Sequence, residues 1–219
     1  MTPRHHAPDD LLLGYAAGSL GEAESLLLAT HLALCPECRS RHEGLEAIGG
    51  AMLETVAPAT ISPDVLSAML SMLDLPEPPP SPRPTLPAAF ADLSLPGPLR
   101  DYVATSGLTE WEMLIPGVLH QITLPVTIKG TPVRLTRMRG GFKVPRHTHE
   151  GRELNLVLAG GFHDRGEGFG PGDISDRNAD VTHELNIDPG EPCILLAVND
   201  NPLVPVGMLA HVASWLVGF

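Results

Sequence analysis

The sequence predicts a two-part protein, in which an α-helical N-terminal unit precedes an all-β C-terminal unit of the sandwich or barrel class. Three observations lead to this prediction. Apolar residues recur at helical spacing in residues 1–75, proline crowds residues 76–100, and short β-like runs fill residues 101–219. The 219 residues are enough for two small domains with adequate cores.

The N-terminal unit, residues 1–75, is expected to contain about four helices. The first stops near Gly18, and the second reaches about Leu34. Pro36 suits the first turn of a third helix, and Ser62 can cap a fourth. We interpret most apolar stripes of these helices as the core of a helical bundle. The stripe of the third helix consists of Leu45, Ile48, Met52 and Val56.

The predicted fourth helix is apolar around much of its circumference. A helix of this kind, at the end of a small bundle, often needs a partner surface. We therefore expect a protein partner to contact its apolar side chains. These are Val65, Leu66, Met69, Leu70 and Leu73.

Residues 76–100 are expected to form a semi-extended linker. Nine prolines occupy the 23 positions from 76 to 98. Because proline has no backbone N–H group and restricts the residue before it, neither a helix nor a central strand is expected there. Such a linker would let the two units move independently.

Residues 101–219 contain short apolar and β-branched runs separated by Gly, Pro, Asp or Asn. Several such runs at short spacing indicate a β-sandwich or barrel. Cys193 lies in one of these runs and is expected to be a core residue. The clearest runs are 121–128, 133–138, 154–158 and 193–198.

The chain is acidic, with 26 acidic and 14 basic side chains and a formal net charge of −12. Residues 1–75 alone hold ten acidic and three basic groups, a net charge of −7. Such a protein is a poor candidate for direct binding to nucleic acid or an anionic membrane, and a better one for a basic partner. Because no signal peptide or long apolar run is evident, we expect a cytoplasmic protein.

A first candidate metal site lies in the N-terminal unit and has the pattern H-x3-C-x2-C. His31 and Cys35 are four residues apart and share one face of a helix, and Cys38 follows after a proline turn. One imidazole and two thiolates suit tetrahedral Zn²⁺, which needs a fourth ligand in a closed site. A thioredoxin-like redox pair is less favoured, since no strand precedes the motif.

The fourth ligand is expected to come from the start of the chain. We favour His6, which could reach across the bundle, and His5 and His42 are the alternatives. Zinc would be important to so small a unit, because structural Zn²⁺ contributes on the order of 10 kcal/mol in small domains.

A second candidate metal site lies in the C-terminal unit, where residues 141–160 fit G-x5-H-x-H-x3-E-x6-G. On a strand, His147 and His149 point to the same side, and Glu153 is expected to face inward after a tight turn. His183 is expected to complete the set from a later strand. Three imidazoles and one carboxylate bind Zn²⁺, Mn²⁺, Fe²⁺ or Ni²⁺ and do not distinguish among them.

The pattern at 141–160 resembles the first motif of the cupin superfamily, whose members are small metal-binding β-barrels of the double-stranded β-helix type. The second cupin motif is matched less well, because His183 lies ten residues beyond Asp173 of the resembling turn. The N-terminal half resembles the zinc-binding anti-sigma domain, in which an N-terminal His precedes H-x3-C-x2-C. In this order, the two modules resemble the ChrR-type anti-sigma factors over nearly the whole chain.

The resemblance implies an anti-sigma domain at residues 1–75, a linker at 76–100 and a cupin domain at 101–219. The anti-sigma domain would bind a group IV (extracytoplasmic-function-type) sigma factor and block its contact with core RNA polymerase. The cupin domain would be needed for release in response to singlet oxygen and related oxidants, such as organic hydroperoxides. The resemblance therefore implies a regulator of transcription in oxidative stress.

Catalysis is the alternative function. Cupins with a His/His/Glu/His set include dioxygenases and isomerases, and the helical half would then be an accessory domain. The fused H-x3-C-x2-C unit favours regulation, because an enzyme does not need it. In a mixed case, reaction of the barrel with one oxidant molecule would itself be the signal. The identity of the barrel metal stays open. The oligomeric state also stays open, since an exposed partner-binding helix can produce a dimer in isolation.

Overall fold

The computed structural model describes residues 2–77, 84–128, 131–149, 151–200 and 203–205. A helical N-terminal unit packs against a C-terminal barrel of two antiparallel sheets, so the predicted fold class is confirmed. Within these ranges, every helix is too short or too polar to span a bilayer.

Four α-helices follow one another in the N-terminal unit. α1 (Asp9–Ala16) ends before Gly18, whose φ of +64° suits a residue without a Cβ atom. α2 (Glu22–Leu34) and α3 (Pro36–Leu53) meet at Cys35, and α3 begins at its proline as predicted. α4 (Asp64–Met72) is the last helix before the proline-rich segment.

The barrel is built from two sheets whose neighbouring strands are all antiparallel. The six-stranded sheet has the order β1 (Glu112–Ile115), β2 (Leu119–Ile128), β3 (Thr131–Met138), β10 (Cys193–Asn199), β5 (Glu153–Ala159) and β8 (Ile174–Arg177). The five-stranded sheet has the order β11 (Leu203–Pro205), β4 (Lys143–His149), β9 (His183–Ile187), β6 (Phe162–Asp164) and β7 (Glu167–Phe169). The four runs predicted as strands all lie in the six-stranded sheet.

The six-stranded sheet is buried on both faces, as strand β10 shows. Cys193 and Leu195 point into the barrel, where Val157 belongs to the same apolar cluster. The alternate residues Ile194 and Leu196 point outward and are equally buried. A strand covered on both sides needs a continuous apolar run, which explains the unbroken sequence of β10.

The helical unit covers the outer face of this sheet. Leu27 and Leu28 of α2 share one apolar cluster with Ile122 of β2 and Leu196 of β10. α2 also contacts α5 (Gly97–Thr105). The two units therefore have a common core, which differs from the expectation of two modules that move independently.

The proline-rich segment contributes to this common core. Phe90 lies in a short 3-10 helix, and Leu99 lies in α5; both are fully buried. The expectation of no helix in residues 76–98 is wrong for their second half. Pro98 stands in the first turn of α5, where the missing N–H group has no intrahelical partner to lose.

The C-terminal half of α3 and all of α4 extend away from the core. Every residue from 46 to 77 is exposed. The interpretation of the α3 stripe as bundle core is therefore wrong for Ile48, Met52 and Val56, whereas Leu45 is half-buried. Helical periodicity identifies the apolar face correctly, but it does not say whether this chain or another one covers that face.

Candidate metal centres

The predicted N-terminal ligands come together at the junction of α2 and α3. The ligand atoms of His6, His31, Cys35 and Cys38 all lie within 4.8 Å of one another. His6 Nδ1 lies 3.3 Å from the Sγ atom of Cys35 and 3.6 Å from that of Cys38. This donor set, two imidazoles and two thiols, is the one that structural zinc sites use.

Local structure explains why the cysteines converge. Cys35 is the residue between α2 and α3, and its Sγ accepts a hydrogen bond from the backbone N–H of Cys38 at 3.4 Å. His31 lies one turn earlier on α2, so its ring is on the same side as Cys35. The H-x3-C-x2-C spacing therefore brings three of the four donors to the same side of the helix–helix corner.

The choice between His5, His6 and His42 follows from their neighbours. The His6 Nε2 atom lies 3.2 Å from a carboxylate oxygen of Glu37, which leaves Nδ1 directed at the cysteines. The His5 ring instead packs against the barrel, with its centroid 4.2 Å from that of the Phe169 ring. His42 lies farther along α3 and packs against the Tyr15 ring. The structure thus places His6, and not the two alternatives, in the cluster.

The buried donors of this cluster fit a metal cation. Among the described residues, the fully buried Nε2 atom of His31 has no hydrogen-bond partner. Burial lowers the pKa of His31 to about 4, which keeps its imidazole neutral and able to coordinate. Burial also raises the pKa of Cys38 to about 11, so a thiolate is not stable there without a nearby cation.

The second set of predicted ligands lies inside the barrel. His147 on β4 is directly opposite His183 on β9, so both rings point to the same side of the five-stranded sheet. Glu153, at the start of β5, faces them from the other sheet: its carboxylate oxygens lie 3.9 Å from His147 Nε2 and 3.2 Å from His183 Nε2. These three ligand atoms lie within 4.8 Å of one another.

His149 lies next to these three residues. Its ring is 5.5 Å from that of His183 and meets it edge-on, and its side chain is buried. The group of ligand atoms within 4.8 Å of one another contains His147, Glu153 and His183 and does not include His149. Its Nε2 atom is nevertheless buried with no hydrogen-bond partner in the described part of the chain.

The hydrogen bonds of the three rings follow one rule. Each Nδ1 atom has a partner: Pro145 O for His147 at 2.9 Å, Gly151 O for His149 at 3.0 Å, and Asp164 for His183 at 3.1 Å. In contrast, within the described ranges, the buried Nε2 atoms of His147 and His149 have no hydrogen-bond partner, and that of His183 has only the ion-pair contact with Glu153 at 3.2 Å. Burying so many unsatisfied polar atoms is costly unless a cation engages them, so the residues fit a metal ion.

The sequence interpretation missed the residues that hold these ligands. The carboxylate of Asp164 is fully buried and contacts both His183 Nδ1 and the Nε of Arg177, the latter at 2.7 Å. The side-chain amide of Asn199 lies 3.5 Å from Glu153. Asp164 lies at the end of β6 beside a tight hairpin turn. Because acidic residues are common in turns, the sequence gives no indication that this one contacts a metal ligand.

Replacement of Asp164 by Asn is expected to lower the pKa of His183. Burial by itself lowers that pKa, but the carboxylates of Asp164 and Glu153 outweigh it and raise the pKa to about 9. This protonation contributes stability that is fully present below the unfolded value of about 6.5 and is lost as the pH rises through about 9. Without the Asp164 charge, the pKa should move back towards 6.5.

An NMR pH titration of metal-free protein measures this change. Asp188→Asn is the matched control, because Asp188 forms a similar pair, but with the exposed ring of His163. Equal His183 titration curves for the wild type and the Asp164→Asn variant would contradict the prediction.

The predicted partner-binding residues lie together on α4 and at its C-terminal end. Val65, Leu66, Met69, Leu70 and Leu73 have exposed fractions from 38% to 79%. Further exposed apolar side chains precede them on α3 and in the connecting segment, among them Ile48, Met52, Val56 and Ile61. We call the exposed apolar side chains of residues 48–75 the apolar arm. An exposed apolar surface of this length is unusual on a protein that acts alone.

Three of the matches to known proteins cover a large part of the chain. Residues 100–203 match the model of the ChrR cupin-like domain. The anti-sigma-E factor ChrR of Cereibacter sphaeroides is 43% identical over 204 residues, which are 93% of this chain and 92% of that protein. The crystal structure of Rhodobacter sphaeroides SigE in complex with the anti-sigma ChrR matches with a TM-score of 0.72 and 39% identity, covering 90% of this chain and 99% of the matched chain.

Proposed function

Because the chain belongs to the ChrR family of anti-sigma factors, we propose that it sequesters a group IV sigma factor and releases it under oxidative stress. The proposal gives the chain a regulatory role. Its helical unit would bind the sigma factor, and its barrel would respond to the oxidant.

The apolar arm is the observation that carries the sigma-binding part of the proposal. Its residues need a partner, and the similar solved structure is a complex of a sigma factor with an anti-sigma factor. The arm belongs to a unit with a net charge of −7, and sigma factors present basic DNA-reading surfaces. The acidic charge would speed the encounter, and the apolar side chains would supply buried anchors in the complex.

The two metal centres have different parts in this proposal. We assign Zn²⁺ to His6, His31, Cys35 and Cys38, where four protein donors leave no open position and the role is structural. We assign a divalent transition metal, Zn²⁺, Mn²⁺, Fe²⁺ or Ni²⁺, to His147, His149, Glu153 and His183. When bound, that metal would supply a centre at which a small oxidant can coordinate or react.

The barrel is proposed as the sensor of singlet oxygen and related oxidants. Glu153 is central to this role, because it is the one carboxylate among three imidazoles and comes from the opposite sheet. Burial raises the pKa of Glu153, but the surrounding histidines outweigh this effect and lower it, so the side chain is a carboxylate ready to engage a cation.

The test is a transcription assay with the full chain and a group IV sigma factor of the same organism. The wild-type protein should form a stoichiometric complex, inhibit sigma-dependent transcription, and lose both properties after exposure to photochemically generated singlet oxygen. Glu153→Gln should inhibit as the wild type does but fail to release. Glu191→Gln, at an exposed position in the loop between β9 and β10, is the control and should release normally.

Two outcomes would count against the proposal. Failure of the wild-type chain to bind the sigma factor would remove the anti-sigma role. Normal release from a Glu153→Gln protein that has lost its barrel metal would remove the barrel site from the oxidant response and leave sigma binding intact.

A further inference from the structure

One turn of the barrel lies directly behind the N-terminal metal cluster. This turn, residues 170–173, connects β7 to β8, and we call it the barrel turn. The Nδ1 atom of His31 donates a hydrogen bond to the backbone carbonyl of Gly172 at 2.8 Å. The bond crosses from the helical unit to the barrel, and both partners are buried. It directs the other ring nitrogen, Nε2, towards the cysteines.

The same turn holds the segment that carries His6. One carboxylate oxygen of Asp173 accepts hydrogen bonds from the backbone N–H groups of Arg4, at 2.6 Å, and His5, at 3.0 Å. Its other oxygen accepts from the N–H of Gly170 within the turn, at 2.8 Å. Asp173 is buried, so these contacts are protected from water. The two residues immediately before His6 are therefore bound to the barrel.

The packing at this place leaves no room for adjustment. Gly172 has a φ of +91°, and a Cβ atom added there would lie 2.6 Å from the ring of Pro3 and 3.6 Å from Leu34. The turn thus touches both the N-terminal segment and the end of α2. A backbone N–H of Ile174 also donates to His5 O at 3.1 Å, which extends the contact by one residue.

We propose that the barrel turn positions two of the four ligands of the N-terminal zinc site, His6 and His31. Gly172 fixes the ring orientation of His31, and Asp173 fixes the backbone that delivers His6. The zinc affinity of the helical unit consequently depends on the barrel. This inference rests on the zinc assignment, and it is independent of sigma binding.

A direct physical connection between the two metal modules follows from this arrangement. A change in the barrel that displaces the turn would weaken zinc binding at a site formed by helices. Since coupling between two equilibria is reciprocal, zinc bound at the helical site also holds the barrel turn in place. Loss of a hydrogen bond that orients a metal ligand typically lowers metal affinity about 10–100-fold.

The test is competition between a chelator and the full-length protein, with Co²⁺ in place of zinc. Only the helical site has sulfur ligands in the proposed sets, so the thiolate-to-cobalt absorption band reports that site separately. Asp173→Asn and Gly172→Ala are each expected to lower the cobalt and zinc affinity of the thiolate site about 10–100-fold. The barrel site should bind its metal with unchanged affinity in both variants.

Asp10→Asn is the matched control. Asp10 on α1 forms an ion pair with Arg152 of the barrel at 2.7 Å, so its loss weakens the same interface without touching the turn. The thiolate site of the Asp10→Asn variant should bind metal with an affinity within about twofold of the wild-type value.

Three results would overturn the inference. One is wild-type affinity at the thiolate site in both turn variants, and another is an equal loss from Asp10→Asn. The third is parallel loss of metal from both sites, since that pattern indicates general unfolding. A wild-type protein without the thiolate band would instead overturn the zinc assignment itself.

Discussion

Replacement of both Cys35 and Cys38 by Ser is expected to remove the zinc proposed for the helical unit and to abolish the cooperative unfolding of that unit. Both side chains are fully buried, so the variant would bury two hydroxyl groups that lack the metal. Structural zinc contributes on the order of 10 kcal/mol in small domains, which is as large as the total stability of many of them. The helices that lie between His6 and the cysteines, α1 and α2, should therefore lose their fixed packing.

Metal analysis and thermal unfolding followed by circular dichroism measure this effect. Cys193→Ala is the control, because Cys193 is buried in the barrel and belongs to neither cluster. It should keep both metals and lose only the modest stability of a small core truncation. A Cys35→Ser, Cys38→Ser protein with its full zinc content and the wild-type unfolding profile would refute the assignment.

Introduction of two charges into the apolar arm is expected to eliminate sigma binding. Met69 lies on α4 and Leu73 directly follows this helix, with exposed fractions of 62% and 79%, so Met69→Asp with Leu73→Asp should leave the fold intact. If each is a buried anchor in the complex, each substitution costs about 2 kcal/mol or more. The pair should then weaken binding by about a thousandfold, which titration calorimetry or co-purification detects.

Met113→Asp is the matched control for this prediction. Met113 has a similar exposed fraction of 58%, but it lies on β1 of the barrel, away from the arm. It should bind the sigma factor as the wild type does. Undiminished binding by the α4 double variant would show that the arm is not the contact surface.

The sequence was most informative where ligands are close together in the chain. His31, Cys35 and Cys38 converge because of helical spacing, and His147 and His149 share a side because strand residues alternate. His183 was harder to assign, since its spacing departs from the second cupin motif. Its place opposite His147 depends on the register of β4 with β9, which a local pattern does not specify.

The contacts between the two units could not be predicted from local patterns. Gly172 and His31 are 141 residues apart, and the sequence around the barrel turn resembles an ordinary Gly-Pro turn. The same limit applies to Phe90, whose burial depends on the outer face of a sheet formed by later residues. Proline content predicts a semi-extended linker, but it does not reveal what the segment packs against.

The shared apolar core has a consequence for how the protein is degraded. Proteolytic removal of the helices would uncover the outer face of the six-stranded sheet, including Leu154, Leu196 and Val198. The remaining barrel would then carry a solvent-exposed apolar β-sheet surface, which favours aggregation and further proteolysis. Cleavage between the units would thus expose an apolar face of the barrel that the intact chain keeps buried.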